Sequence, residues 1–445
     1  MRFRRSIAWL PVLASLAPPA ATPARAERPP AERPYLGWSS WSLQATESPG
    51  YGKAFLTAEN VKRQSDAMAA RLQAHGFLRI NVDSGWRGGW DEHGRPTPDL
   101  ERFPQGVRDV ADHVHAHGQK FGIYYVPGVD DDLLALDPPI LGTSYTVRQI
   151  VHTPRRLAHA WKGGHAIDFA KPGAKEYVRS IADRFAAWGV DFLKFDGVTP
   201  GSDVDDPSID ARDDVAAWSE SLLATGRPIW LTVSWKLDMR HADFWRGRAD
   251  AVRVTQDVES YDALLTHWRP QILRAFPAAR DFGPTSGRGK GWNDLDSLLV
   301  GNGAMSGLTP DERRSAMTLW AVACSPLYAG DDLTKLDDLG LELLTNDEVI
   351  AVQQAGFPAA LIRDDGRGGQ VWSSANAGGK VVALFNLAEE RRTISIPLSG
   401  LGLPSSVAAR DLWARRDLPA ASDRVEADLA PHACRLLRLA PEPPR

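Results

Sequence analysis

Four stretches of the chain share one pattern: "AHGFLRINVDSGW" at 74–86, "AHGQKFGIYYVPG" at 116–128, "AWGVDFLKFDG" at 187–197 and "ATGRPIWLTVSW" at 224–235. In each, an amphipathic run closes at a glycine (Gly76, Gly118, Gly189, Gly226), a residue free to take the left-handed conformation that caps a helix. A near-continuous apolar run follows, as in a parallel strand covered on both faces, and polar or aromatic residues stand at its far end. The preceding segments have helical spacing. Val178, Ile181, Phe185 and Trp188 recur by threes and fours over 172–188, where Pro172 suits the first turn. Val107, Val110 and Val114 do the same over 105–117, and Val61, Met68 and Leu72 over 58–75, behind Thr57 as N-cap. Strands are predicted at 34–38, 77–83, 120–126, 191–196, 229–235, 251–257, 280–284 and 325–329, the seventh on the weakest pattern. Eight alternating strand–helix units imply an α/β fold, a (β/α)8 TIM barrel, rather than an open sheet. Beyond "QQAGFPAA" the style changes to short alternating runs such as "KVVALFNLA" and "RTISIPL", which predict a small antiparallel β-sandwich domain. The expected organisation is a signal peptide over 1–26, the barrel over 27–356 and the sandwich over 357–445.

Barrel chemistry belongs to the C-terminal strand ends. Read in order, these carry Trp38 and Trp41; Asp83, Ser84 and Trp86; Tyr124 and Tyr125; Lys194 and Asp196; Ser234, Trp235 and Asp238; Arg253 and Asp257; and Trp292, Asn293, Asp294 and Asp296. The set has carboxylates and aromatics, but no Gly-rich phosphate loop and no Ser/His/Asp grouping. Aromatic faces stack on the C–H faces of sugars, carboxylates accept sugar hydroxyls, and paired carboxylates cleave glycosides. Sixteen tryptophans strengthen that reading, provided that many of them line the rim rather than the core. Asp196 ends an otherwise apolar run, where a lone carboxylate costs several kcal/mol of desolvation. Its expected partner is Asp257 on the same rim, one acting as nucleophile and the other as acid/base in a retaining double displacement. Lys194 shares the face of Asp196 and is placed to hold it ionised; Arg253 stands in the same relation to Asp257.

Composition sets limits. The chain has 445 residues, 43% hydrophobic and 24% charged, enough apolar mass for a large core. Residues 1–26 read as a secretory leader: a basic start, a short apolar core and Ala24-Arg25-Ala26 as cleavage site. The expected location is therefore secreted or periplasmic. Cleavage after Ala26 removes Arg2, Arg4, Arg5 and Arg25 and no acid, moving the formal charge from −4 to −8. An acidic protein with no further long apolar run is a poor partner for nucleic acid and has no membrane span. Cys324 and Cys434 are expected as unpaired thiols. His113 and His117, spaced i, i+4, read as a solvated helix face rather than a metal pair, so no metal and no cofactor is expected.

The motifs "YLGWSSW", "INVDSGW", "FGIYYVPG", "FLKFDGV", "LTVSW", "VRVTQD", "GWNDLDSLLVGN" and "LWAVACSPLYAGDDL" resemble, in order and spacing, glycoside hydrolase family 27, the α-galactosidase and α-N-acetylgalactosaminidase family. The resemblance implies a barrel plus sandwich, no catalytic metal, Asp196 as nucleophile and Asp257 as acid/base. It also implies that Trp41, Asp83, Tyr124, Lys194 and Arg253 line the sugar pocket, with Asp294 and Asp296 in support. Several positions depart from the family pattern. Ser84 stands where galactose-binding members carry a second acid. Ser234 precedes Trp235 where α-galactosidases have Glu; N-acetylgalactosaminidases have Ser there, but with a small residue where this chain has Leu237. Val198 replaces a cysteine. The segment 129–171 is longer than its family counterpart and offers Asp130, Tyr145, Trp161 or His165 to a substrate. The expected function is a secreted retaining glycosidase acting on terminal α-D-galactosyl or closely related residues of an oligo- or polysaccharide. The alternatives are the same fold on an α-N-acetylgalactosaminide, an isomaltosyl or α-glucan, or a β-L-arabinopyranoside, or a non-catalytic sugar-binding barrel.

Overall fold

The computed structural model describes residues 28–29, 31–201, 206–376 and 379–441. The expected signal peptide, 1–26, lies outside the described residues. Eight parallel strands form one sheet: β1 (Leu36–Ser39), β2 (Arg79–Asn81), β3 (Lys120–Tyr125), β4 (Phe192–Phe195), β5 (Trp230–Val233), β6 (Ala251–Arg253), β7 (Trp292–Asp294) and β8 (Leu327–Ala329). Their order is β8-β1-β2-β3-β4-β5-β6-β7, and Leu298, just past β7, pairs in parallel with Ala329 of β8, closing the ring. This is the predicted TIM barrel.

The helices end as their sequences require. Thr57 accepts the Asn60 amide at the start of Ala58–Arg71, and Gly76, Gly118, Gly189 and Gly226 all have positive φ after their helical segments. The predicted seventh strand, 280–284, is overturned: those residues end the helix Ala275–Phe282 and enter a 3-10 turn, and the strand is Trp292–Asp294. A strand of three residues, two of them polar, gives no apolar run to detect.

Inward positions recur every second residue along each strand, which stacks the barrel interior in layers. At the N-terminal end, Tyr35 packs edge-on against Phe192 and Trp230 and stacks on Tyr328, with Trp292 and Cys324 in the same buried cluster. This aromatic plug seals one mouth. Two residues further along, the layer turns polar: Lys194, Thr232, Arg253 and Asp294. Gly122 of β3, level with Phe192, is required in the aromatic layer, because a Cβ would lie 2.3 Å from the Asn81 Oδ1 and 2.7 Å from the Phe192 ring.

After the helix Asp347–Ala355, the chain enters eight further strands: β9 (Ala360–Asp364), β10 (Gly369–Asn376), β11 (Gly379–Asn386), β12 (Arg392–Pro397), β13 (Ser406–Asp411), β14 (Arg416–Ser422), β15 (Arg424–Leu429) and β16 (Cys434–Ala440). Six form an antiparallel sheet in the order β9-β10-β11-β16-β13-β14, and β12–β15 form a pair across it. Val382, Leu384, Ile394, Ile396, Val407, Val425 and Leu437 fill the space between, the inward half of an alternating pattern. Cys324 and Cys434 are unpaired, as expected.

Asp214, buried in the helix Arg212–Ala224, accepts the Gly128 amide, and burial pushes its pKa up to about 8. The folded state thus holds a proton that the unfolded chain releases near pH 4. Between about pH 4 and 8 the native state binds more protons than the unfolded one, so this group's contribution to stability declines as pH rises. Asp214→Asn keeps an acceptor for Gly128 and removes the charge. Thermal unfolding at pH 5 to 9 is expected to show a smaller loss of Tm with rising pH in the variant than in the wild type.

Candidate active site

With one mouth plugged by aromatics, side-chain chemistry collects at the other. Asp83, following β2, is almost wholly buried and fixed three ways: its amide donates to the Ser40 hydroxyl oxygen at 2.9 Å, its Oδ1 accepts the Ser84 amide at 2.7 Å and its Oδ2 accepts Lys194 at 2.8 Å. Lys194, inward on β4, also lies 3.9 Å from Asp196 Oδ2 and 5.5 Å from the Tyr124 ring centre. Burial works against its ammonium, but the charges of Asp83 and Asp196 outweigh it, and the Lys194 pKa is pushed up.

Asp196 follows β4 and is 8% exposed. Its Oδ1 accepts the Gly197 amide at 2.8 Å, and the Tyr124 hydroxyl hydrogen-bonds its carboxylate. Tyr124 connects the two halves of the site. Burial and then the charges of Asp196 and Asp83 raise its pKa, and the charge of Asp257 adds to them. Tyr124 thus lies within the field of both carboxylates.

Asp257 lies in the loop after β6. Arg253 donates to its Oδ1 at 2.7 Å, Tyr261 donates to its Oδ2, and Arg274 donates to its carbonyl. Trp41 donates to the Tyr261 hydroxyl at 3.3 Å, so the indole reaches Asp257 through that phenol. Arg253 is only 1% exposed and also donates to Asp296 Oδ2 at 2.5 Å. Asp296 in turn accepts the Val258 amide and, with Asp294, takes the Tyr328 hydroxyl at 3.0 and 3.2 Å. Burial lifts the Asp294 pKa to about 6 against the pull of Arg253.

Asp257, Glu259 and Asp296 bring carboxylate oxygens within 4.8 Å of one another. As a cation site this donor set is poor. Arg253 already bridges two of its members, and the Glu259 pKa is held well above the usual carboxylate range by burial and then by the charges of Asp296 and Asp257. Its Oε1 accepts the Ser42 hydroxyl at 2.5 Å. Asp66, His113 and His117 form another cluster, on helices away from the mouth, where Asp66 takes both imidazoles at 2.7 and 2.8 Å.

The chain matches the family described as Alpha galactosidase A over residues 33–131 and 157–355, and the Alpha galactosidase C-terminal beta sandwich domain over 366–439. It belongs to glycoside hydrolase family 27. This family 27 hydrolase is 30% identical to alpha-galactosidase 3 of Arabidopsis thaliana, over 93% of this chain and 83% of that one. It is 29% identical to the alpha-galactosidase of Cyamopsis tetragonoloba, over 92% and 87%. A GH27 β-L-arabinopyranosidase from Geobacillus stearothermophilus superposes with a TM-score of 0.83 at 30% identity, covering 92% of this chain and 97% of that one.

Several sequence expectations about this hydrolase change in three dimensions. Trp38, Trp86 and Trp292 are core, each at most 2% exposed, and Tyr125 is buried too; their strand-end positions do not reach the mouth. Asp238 caps a 3-10 turn and pairs with Arg240. Ser234 is buried behind β5 with Leu237 close after it, while Trp235 is partly exposed. Ser84 lines a side cavity of about 220 Å³ with Trp86, Arg87, Trp90 and Asp130. Of the four loop residues, Asp130 pairs with Arg87, His165 with Asp131, and Tyr145 packs over Gly173; only Trp161 reaches the mouth. The gap in the family match, 132–156, falls inside the long loop. Glu259 and Tyr261 were not foreseen, because "DVES" reads as the end of a strand until the loop turns both side chains back toward Asp257.

Proposed function

We propose that this hydrolase releases a terminal galacto-configured sugar, an α-D-galactopyranoside or its counterpart lacking the hydroxymethyl group, a β-L-arabinopyranoside, with retention of configuration. One observation carries the reading: the Tyr124 phenol that hydrogen-bonds Asp196 also lies within the field of the Asp257 carboxylate. Asp196 attacks the anomeric carbon and Asp257 protonates the departing oxygen. Asp257 then takes a proton from the water that opens the glycosyl-enzyme. Lys194 keeps a cation 3.9 Å from the attacking carboxylate, and buried Asp83 with partly buried Lys194 and Tyr124 supply partners for sugar hydroxyls. Tyr261 and Arg253 fix the orientation of Asp257. The leader-like sequence over 1–26 supports action outside the cytoplasm, and the substrate is an oligo- or polysaccharide.

Ser84 favours the arabinoside, since no carboxylate at this position reads the sugar, and the Geobacillus arabinopyranosidase is among the most similar structures. Turnover of nitrophenyl α-galactoside, β-L-arabinopyranoside, α-N-acetylgalactosaminide and α-glucoside tests the reading; silence on the first two would overturn it. Detection of the first-released anomer by NMR tests retention. Ser84→Asp adds a carboxylate where the side cavity offers room. A charge-assisted hydrogen bond is worth roughly 1.5–3 kcal/mol, so kcat/KM on the α-galactoside is expected to rise about tenfold or more. An unchanged value would remove position 84 from sugar selection.

A further inference from the structure

The segment joining β3 to β4 contains 132–156, which lies outside the family match, and then a short hairpin that returns to the barrel mouth. The hairpin is closed by hydrogen bonds from the Ala158 amide to the Gly163 carbonyl and from the Lys162 amide to the His159 carbonyl, both 3.0 Å. It is tied to the site at one point: the Ala160 amide donates to the carbonyl of Gly197 at 2.8 Å, the residue directly after Asp196. Gly197 has φ +72°, and a Cβ there would lie 2.7 Å from the Trp161 ring. The indole therefore rests on the backbone beside Asp196, in space that any other residue at 197 would fill. Its remaining surface is open, for Trp161 is 50% exposed. His159 stands behind it with ring centres 5.1 Å apart, and its buried Nδ1 has no hydrogen-bond partner among the described residues. Burial lowers the His159 pKa against the charges of Asp130 and Asp196, so the imidazole is neutral at neutral pH and offers either a donor or an acceptor.

We propose that Trp161 and His159 form a binding site for the leaving group, a pyranose attached to the sugar being cleaved, which stacks a C–H face on the indole and hydrogen-bonds the imidazole. The inference rests on the function proposed above and adds the other half of the substrate. The terminal sugar takes the buried polar floor made by Asp83, Lys194 and Tyr124. Whatever extends outward past Asp196 and Gly197 meets the half-exposed indole next. An aromatic platform adds contact area at small entropic cost and orients the scissile bond toward both carboxylates.

The test compares substrates that share a terminal sugar and differ in leaving group: α-D-galactopyranosyl fluoride against 6-O-α-D-galactopyranosyl-D-glucose, and β-L-arabinopyranosyl fluoride against 6-O-β-L-arabinopyranosyl-D-glucose. Trp161→Ala is expected to lower the ratio of kcat/KM for disaccharide over fluoride by about tenfold, the size of a stacking contact, and Trp161→Phe to recover most of it. A ratio equal to that of the wild type would overturn the site, whether both activities fall together or neither falls. Failure of the wild type to hydrolyse either fluoride would instead overturn the proposed function, and this inference with it.

Discussion

Asp196→Ala is expected to lower kcat/KM on any glycoside by at least ~10³-fold, because on the proposed mechanism it removes the atom that forms the bond to the anomeric carbon. The loss should not be a folding defect. Lys194 keeps its 2.8 Å contact with Asp83, and the Gly197 carbonyl still receives the Ala160 amide, so the mouth retains its frame. The vacated volume is the size of a small anion beside a cation. Azide should enter it and attack an activated glycoside, giving a glycosyl azide of inverted configuration. Rate recovery with that product, at an unchanged Tm, would place the nucleophile at 196. Wild-type rates in the variant would end the assignment.

Asp257→Ala is expected, unlike Asp196→Ala, to show a loss that depends on the leaving group. Loss of a general acid costs about 10²–10⁴-fold where the departing oxygen needs a proton, as in a disaccharide, and much less for a fluoride or a dinitrophenolate. Arg253 and Tyr261 gain no new partner from the change, and Asp296 still takes Arg253 at 2.5 Å. A graded loss across leaving groups, together with loss of the alkaline limb of the pH–rate profile, identifies the acid/base. A uniform loss across all leaving groups would instead make Asp257 a positioning residue.

The contrast between these residues and the tryptophans shows what side-chain type tells and withholds. Asp196 and Lys194 were legible because a charged pair two residues apart on an apolar strand has to face one interior, and burying it is costly without a purpose. Trp38 and Trp86 stand near comparable strand ends, and Trp292 begins β7 in the opposite plug, yet all three are core, since an indole is at home in either setting. Trp161 gave no pattern of its own. Its place beside Asp196 depends on a hairpin closure and one amide bond to Gly197, between segments some 37 residues apart.

Period, glycine caps and apolar runs were enough to determine the barrel, the sandwich and the rim on which the chemistry sits, because these depend on neighbours three, four or two residues away. The seventh strand escaped, since three residues, two of them polar, are held by partners on β6 and not by their own composition. Only the tertiary structure could decide that Arg253 is shared between Asp257 and Asp296, that burial raises the Glu259 pKa, and that a loop from between β3 and β4 closes on Gly197. Each of these depends on charges and backbone brought together across the barrel mouth, and the free energy of such contacts is set by distance and burial that no local pattern encodes.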